Sequence, residues 1–473
     1  MAKGKTLDHV DSNEVHVAGV VHHGEQIILP EDMKIEQAIK VMLQRLEYME
    51  QEVNVQQEYD RFPWDGAWAL AQVLKEKYGW ARMQATKSMF GSNPPTMINV
   101  EIAPGDVRSV PWGQFTLPNL EDGTIDSGFN GRQFVLRAKV KRKFEDYVRQ
   151  LFADVKQRLD DHSIYMGQPV RLSFEEGEQL PKISFVSTAD DDIEKLIYSR
   201  EVEGAVRTNL FTPIERVEDC LRNGISVKRG ILLAGHYGCG KTLAAKAAAR
   251  LAQEHGVTFI YIDRAADFAK AIEFAKIYSK PASVVFCEDI DRAMSGERTA
   301  EVDDILNILD GVDSKAYSIM TVLTTNNLDR ITPAMQRPGR LDAIIEVGPP
   351  DAEAAERLVR AYGAGLINSE ADLTEVGKEL EGYVPAVLAE VVKRAKLSQL
   401  RLLERGEDLT EITPEALLDA AVTIRSQAQR LKTAKEEAPA PSIDRLFHGI
   451  VDDRLENSVL ARNVQAIHRR VEA

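Results

Sequence analysis

The chain has 473 residues, which at roughly 150 residues per domain suggests about three domains. Hydrophobic residues make up 44% and charged residues 28%, the balance of a folded globular protein; this excludes a mostly disordered, collagen-like or disulfide-scaffold chain. Fifty-nine Lys and Arg against 74 Asp and Glu leave a net charge of −15, which argues against a protein that coats nucleic acid, since phosphate neutralisation dominates that affinity.

No apolar run approaches the ~18 residues of a membrane span. Met1-Ala2-Lys3-Gly4-Lys5 is followed by no apolar stretch, so no signal peptide is expected, and no membrane contact is expected from the lack of a spanning run. Three cysteines, Cys220, Cys239 and Cys287, are too few for a disulfide framework and point to a reducing, cytoplasmic setting.

Residues 1–195 read as an α+β region and hold all four tryptophans, Trp64, Trp68, Trp80 and Trp112. It opens with a strand-like run, Glu25 to Pro30. A helix follows, because Ile35, Ala38, Ile39, Met42, Leu43, Leu46 and Met49 recur at spacings of three and four. That single apolar stripe is expected to face this domain's own core; the alternative is a groove for a partner. Turn-rich, strand-like sequence runs from Pro94 to Gly131. Phe134, Leu136, Ala138 and Val140 then alternate with polar residues, as in a half-buried strand. A second amphipathic helix carries Phe144, Tyr147, Val148, Leu151, Phe152, Val155 and Leu159. The basic cluster Lys139, Lys141, Arg142 and Lys143 reads as a solvated face. His22-His23 lacks the Cys/His partner spacing that a metal site needs.

Residues 196–349 change character. Arg229–Ala234, Val257–Ile262, Ser283–Cys287 and Ile319–Thr324 are continuous apolar strands separated by helical segments, which predicts a parallel sheet covered by helices on both faces. Residues 350–432 are helical. Residues 433–473 begin with a Pro/Ala/Glu linker and end in a short tail.

The strongest local signal is Gly235-His236-Tyr237-Gly238-Cys239-Gly240-Lys241-Thr242, followed by Leu243 and a predicted helix. It matches G-x-x-x-x-G-K-[ST] directly after a strand. Glycines let backbone N–H groups turn inward around phosphates where a Cβ would clash. The helix N-terminus adds partial positive charge. Lys241 is placed to reach the β- and γ-phosphates, and Thr242 to hold Mg²⁺. These nine residues, 235–243, are the candidate nucleotide-binding set. Cys239 reads as a small variable position rather than a nucleophile.

The second signal is Val284-Val285-Phe286-Cys287-Glu288-Asp289-Ile290-Asp291, an apolar strand ending in acids. Carboxylates at the C-terminal end of a buried parallel strand point into the crevice where ligands bind. Glu288 is the candidate that joins Thr242 at Mg²⁺, and Asp289 the candidate that positions and polarises the attacking water.

With both motifs in place, the chain resembles the AAA+ ATPases of the classical AAA clade over roughly residues 205–430. Val322-Leu323-Thr324-Thr325-Asn326 resembles the sensor strand, whose terminal Asn326 would orient the hydrolytic water. Pro333-Ala334-Met335-Gln336-Arg337-Pro338-Gly339-Arg340-Leu341-Asp342 resembles the second region of homology, and Leu309-Asp310-Gly311 also fits. The resemblance implies the AAA+ P-loop fold with a helical lid at 350–432, ATP and Mg²⁺ as cofactors, and a ring of subunits, commonly a hexamer. Arg337 and Arg340 would then act on the neighbour's nucleotide, as arginine fingers.

Three departures stand out. Glu288 precedes Asp289 where the usual order is Asp then Glu; the swapped order, with Thr-Thr-Asn and Arg-Pro-Gly-Arg, is similar to the mitochondrial translocase of the Rieske iron–sulphur protein. The segment from Asp263 to Cys287 is short and offers only Phe268 in place of an aromatic-hydrophobic-Gly pore loop, so Phe268 is expected in the core. Gly382-Tyr383-Val384-Pro385-Ala386 lacks the usual Gly-Ala pair of the lid. The functional expectation is an ATP-hydrolysing, oligomeric mechanoenzyme or chaperone that remodels a protein partner recruited by residues 1–195. The alternatives are a nucleotide-dependent ring scaffold with slow turnover and a DNA-handling ATPase, against which the −15 charge counts.

Overall fold

In the computed structural model the described residues are 21–23, 26–28, 33–79, 86–88, 91–93, 96–117, 119–120, 122–131, 133–175, 180–188, 196–290, 305, 309, 317–331 and 340–437. Trp80, Arg337 and the tail from 438 onward lie outside them, as do the side chains of His22 and His23.

The N-terminal segment starts with a hairpin, β1 (Val21–His23) and β2 (Gln26–Ile28), then α1 (Ile35–Glu50). Next come β3 (Glu52–Tyr59), α2 (Pro63–Tyr78), a short hairpin of β4 (Thr86–Ser88) and β5 (Gly91–Asn93), and β6 (Thr96–Ala103). β7 (Asp106–Phe115), β8 (Thr124–Asn130), β9 (Gln133–Lys141) and α3 (Glu145–Asp161) complete it. Five strands form an antiparallel sheet in the order β3-β9-β8-β7-β6. The alternation read from the sequence is what builds it: Phe134, Leu136, Ala138 and Val140 of β9 are all buried. α2 starts at Pro63, where a missing N–H costs nothing. It crosses β9 at Gly66, where a Cβ would stand 2.0 Å from the Phe134 ring. α3 buries Val148, Leu151, Phe152, Val155 and Leu159, as its spacing predicts.

α1 departs from expectation. The helix forms, but of its apolar stripe Ile35, Ile39, Met42, Leu43 and Leu46 are exposed, and the one buried residue is Val41 on another side. Periodicity shows that a helix has an apolar side; it does not show what covers that side. The basic cluster at the end of β9 makes ion pairs at the surface. Lys141 and Lys143 pair with Glu50 at 2.8 and 2.9 Å, and Lys139 with Glu52 at 2.8 Å. The two lysines hold the Glu50 carboxyl down at about 2.

β10 (Pro169–Ser173) and β11 (Lys182–Phe185) belong to a second sheet, although they precede residue 195. That sheet continues with β12 (Arg229–Ala234), β13 (Thr258–Ile262), β14 (Ser283–Cys287), β15 (Ile319–Thr325) and β16 (Ala343–Glu346), in the order β11-β10-β13-β14-β15-β12-β16. All neighbours are parallel except β11, which runs antiparallel to β10. Between the strands run α4 (Arg200–Val206), α5 (Thr212–Glu215), α6 (Val217–Arg222), α7 (Lys241–Glu254) and α8 (Phe268–Ile277). β12 to β15 are buried almost throughout, which is why their sequences are continuous apolar runs, whereas β10, β11 and β16 keep exposed or half-buried positions. Phe268 is fully buried at the start of α8, as expected.

The antiparallel sheet and its helices are fastened to this second sheet by a buried polar knot. Asp65 of α2 accepts hydrogen bonds from Ser163 Oγ at 2.6 Å, the Ile164 N–H at 3.0 Å and the Tyr278 hydroxyl at 3.1 Å. The Tyr278 hydroxyl in turn accepts from the Phe62 N–H at 3.0 Å. Burial pushes the Asp65 carboxyl up to about 6, against the pull of those hydrogen bonds. Edge-to-face contacts among Phe62, Tyr165, Phe274 and Tyr278 surround the knot.

The contact pattern divides the chain into two compact units. One holds Met1–Ile193, Gly204–Gly235 and Lys241–Glu346; the other holds Glu194–Glu203, His236–Gly240 and Val347–Ala473. In the second unit α9 (Ala352–Gly363), α10 (Thr374–Leu380), α11 (Pro385–Leu400) and α12 (Pro414–Glu437) share a core that includes Leu358, Val359, Leu388, Val391, Leu417 and Ala421. The Asp351 side chain caps α9 by accepting the Ala354 N–H at 2.7 Å. Among the described residues no helix is long and apolar enough to cross a membrane.

Candidate active site

β12 ends in the glycine-rich loop, and α7 begins at Lys241, so the helix presents its first, internally unpaired N–H groups at the loop. Two loop glycines have left-handed φ: Gly238 at 81° and Gly240 at 94°. Gly240 is also crowded. A Cβ there would meet the Tyr198 ring at 3.3 Å, and the Tyr198 hydroxyl donates to the Gly240 carbonyl at 2.9 Å. The Tyr198 carbonyl accepts from Arg357, which pairs with Glu203 at 3.1 Å. His236 and Tyr237 are exposed on the loop, Cys239 is buried beneath it, and Leu243 is half-buried on α7.

Parallel registry sets the rest. Ala234 pairs with Thr325, and Cys287 with Leu323, so the ends of β12, β14 and β15 lie side by side. Ligands bind at this C-terminal edge in such sheets. Lys241, only 7% exposed, donates to the Gly235 carbonyl at 2.6 Å and to Asn326 Oδ1 at 2.9 Å. Asn326 Nδ2 donates to Asp289 Oδ1 at 2.7 Å. The Thr242 hydroxyl donates to Glu288 Oε1 at 2.7 Å. Asp289 has a φ of 47°, unusual for a residue with a Cβ, and its N–H donates to Thr324 Oγ1 at 3.0 Å. The strained backbone turns the Asp289 carboxylate toward Asn326 while Glu288 faces Thr242. The two adjacent acids therefore have two different partners.

Tyr198 and Tyr261 belong to this neighbourhood and escaped the sequence reading. Burial and a hydrogen bond to Glu288 push the Tyr261 phenol up, and the Arg171 guanidinium lies 4.5 Å over its ring. Burial pushes the Cys287 thiol up to about 12, which removes it as a nucleophile at neutral pH.

Arg340 lies elsewhere. Its carbonyl sits against Gly230, where a Cβ would stand 1.9 Å away, and Asp342 Oδ2 accepts the Gly230 N–H at 2.9 Å. Gly230 is near the start of β12 and Gly235 just past its end, about 16 Å apart along a strand. The backbone of Arg340 thus lies at the opposite end of the strands from Lys241 of the same chain.

Residues 231–349 match the family described as "ATPase family associated with various cellular activities (AAA)". The chain carries an AAA ATPase domain. That domain is similar to the "ATPase family gene 2 protein" of Saccharomyces cerevisiae, at 32% identity over 42% of this chain and 27% of the yeast protein. It is similar also to the "Cell division cycle protein 48 homolog" of Archaeoglobus fulgidus, at 30% identity over 49% of this chain and 34% of that protein. A third relative is the "ATP-dependent zinc metalloprotease FtsH" of Lactococcus lactis, at 28% identity over 52% of this chain and 37% of the other. The chain thus spans about a third of the length of these relatives. The AAA match begins inside β12 and runs to the residues after β16, so it contains the loop, both acids and Asn326. The antiparallel N-terminal sheet lies before it.

Proposed function

We propose that this protein is an ATP-hydrolysing, oligomeric AAA enzyme that remodels a protein partner. The observation that carries the reading is the chain Lys241–Asn326–Asp289 beside the pair Thr242–Glu288, all at one edge of a parallel sheet. The donor set fits ATP with Mg²⁺. Lys241 and the N–H groups of residues 236–242 would hold phosphates, and Thr242 and Glu288 would hold the cation, directly or through water. Bound Mg²⁺ supplies charge neutralisation on the phosphates. Asp289 accepts a proton from water, and Asn326 fixes the carboxylate and the water's approach. Lys241 leaves its amide partner for phosphate, which frees Asn326 to do so. Arg337 and Arg340 complete the neighbour's site; the distance of the Arg340 backbone from its own loop supports a role in trans. The ring is read as a hexamer, and the protein as cytoplasmic, with three buried free cysteines.

Phe268 is buried, so this segment presents no aromatic grip for hand-over-hand threading. We therefore infer remodelling through the N-terminal domain, which the Asp65–Tyr278 knot ties to the ATPase sheet. Steady-state ATPase measured with and without DNA tests the reading. The wild type should turn over ATP without DNA stimulation, and Lys241→Ala should abolish both binding and turnover. Strong DNA stimulation, or wild-type ATP affinity in Lys241→Ala, would contradict it.

A further inference from the structure

Tyr198 lies outside the phosphate-loop motif, 42 residues before Gly240, yet it holds the loop at a glycine with left-handed φ. Its hydroxyl donates to the Gly240 carbonyl at 2.9 Å, and its ring stands 3.3 Å from where a Cβ of Gly240 would be. Tyr198 is 6% exposed, so the bond is shielded from competing water. Burial pushes its phenol up, which keeps the hydroxyl a donor at neutral pH.

The bond fixes more than a carbonyl. A peptide unit is planar, and in its trans form the C=O and N–H point in opposite directions. The Gly240 carbonyl and the Lys241 N–H belong to one such unit. With the carbonyl held against Tyr198, the Lys241 N–H is turned to the other side, and it is one of the N–H groups assigned above to phosphate. Gly240 has a φ of 94°, a region that glycine enters and leaves at little cost, so the glycine does not hold this orientation by itself. A buried hydrogen bond from outside the loop does.

Tyr198 is anchored in turn. Its carbonyl accepts from Arg357 of α9, and Arg357 pairs with Glu203 at 3.1 Å. A further pair, Arg200–Glu353 at 2.6 Å, ties the same segment to α9, but it is exposed and contributes little. Tyr198, Glu203, Gly240 and Arg357 all lie in the second compact unit.

We propose that Tyr198 is a positioning residue for phosphate binding: its hydroxyl latches the Gly240–Lys241 peptide in the orientation that presents the Lys241 N–H to the nucleotide, and Arg357 keeps Tyr198 in place. The role rests on the ATPase reading of the loop. Through it α9 acts on nucleotide affinity by way of Tyr198.

The test uses the full chain and the variants Tyr198→Phe, Arg357→Gln and their combination. Calorimetric titration with ADP and Mg²⁺ gives Kd without turnover, and steady-state ATPase gives KM and kcat. Tyr198→Phe keeps the ring and removes only the hydroxyl; its urea midpoint checks that the fold is retained. Kd for ADP and KM for ATP should each rise by roughly twofold to tenfold, the worth of one neutral hydrogen bond. The kcat should stay within about twofold, because the latch acts alike on bound ATP and on the transition state. Arg357→Gln should also raise Kd, and the double variant should bind within about twofold of the weaker single variant, as residues acting through one contact do. An unchanged Kd in Tyr198→Phe would overturn the proposal. So would a fall in kcat at unchanged KM, or full multiplication of the two single effects in the double variant. Lys241→Ala separates the two readings. If it loses ADP binding while Tyr198→Phe binds as the wild type does, the latch fails and the ATPase reading stands. If Lys241→Ala binds ADP normally, the loop assignment fails and the latch with it.

Discussion

Asp65 offers a quantitative check on how the antiparallel sheet is joined to the ATPase sheet. Its carboxyl is fully buried, and burial raises it from 3.8 to about 6. Between those two values the native state binds a proton that the unfolded chain releases. Stability therefore falls as pH rises through that window and levels off above it. At 1.36 kcal/mol per unit, a shift of about two units amounts to roughly 3 kcal/mol. Asp65→Asn is the informative change, because the amide is neutral at every pH and keeps an acceptor for the Ile164 N–H. The Tyr278 and Ser163 hydroxyls can turn to receive the new N–H₂. The unfolding free energy of Asp65→Asn minus that of the wild type should climb by roughly 2 kcal/mol from pH 4 to pH 6.5, the part of that total falling in this range. Urea titrations followed by tryptophan fluorescence read it directly, since Trp64 and Trp68 lie on α2 with Asp65. A difference that stays constant across this range would refute the argument that burial of this carboxylate is what the joint costs.

Other outcomes follow from the same geometry. Phe268→Ala empties a fully buried position and should destabilise the first unit by roughly 3–5 kcal/mol, measured by the same titrations; a thermally unchanged variant would return Phe268 to the pool of substrate contacts. Lys241→Ala and Arg337→Ala should each be inactive alone. Mixed under conditions where subunits exchange, they should recover part of the ATPase activity, because some interfaces then join an intact loop to an intact Arg337. A mixture that stays inactive despite exchange would place Arg337 in its own subunit's chemistry or require all sites to cycle together.

How much of this was legible in the sequence depended on whether the information was local. The loop at 235–242 is contiguous, and its strand, glycines and helix are all written within thirty residues. Glu288 and Asp289 follow an unbroken apolar strand, so their edge position could be read. Glu288 was expected beside Thr242, but the bond between Asp289 and Asn326 could not be read, since it depends on the positive φ of Asp289. Asn326 was legible as the end of β15, but its bond to Lys241 depends on strands meeting in register. Tyr198 and Tyr261 gave no signal, because a lone tyrosine becomes informative only when tertiary packing sets it against Gly240 or Glu288. β10 was missed for a related reason: Pro169-Val170-Arg171-Leu172-Ser173 alternates like a domain strand, and only its pairing with β13 assigns it to the nucleotide-binding sheet. The α1 stripe shows the reverse, a strong local pattern whose burial the sequence alone could not assign.

The central claim is that Glu288 and Asp289 divide the work, one toward Thr242 and the cation, the other toward Asn326 and the water. It is tested most directly by the fate of bound ATP in Asp289→Asn. The amide keeps the side chain's shape and loses its charge and its capacity to take a proton. Incubated with radiolabelled ATP and Mg²⁺ and recovered by rapid gel filtration, this variant should retain intact ATP under conditions where the wild type yields ADP. Glu288→Gln should chiefly weaken Mg²⁺-dependent binding. Normal hydrolysis by Asp289→Asn, with ATP trapped instead by Glu288→Gln, would show that the two acids have the opposite roles.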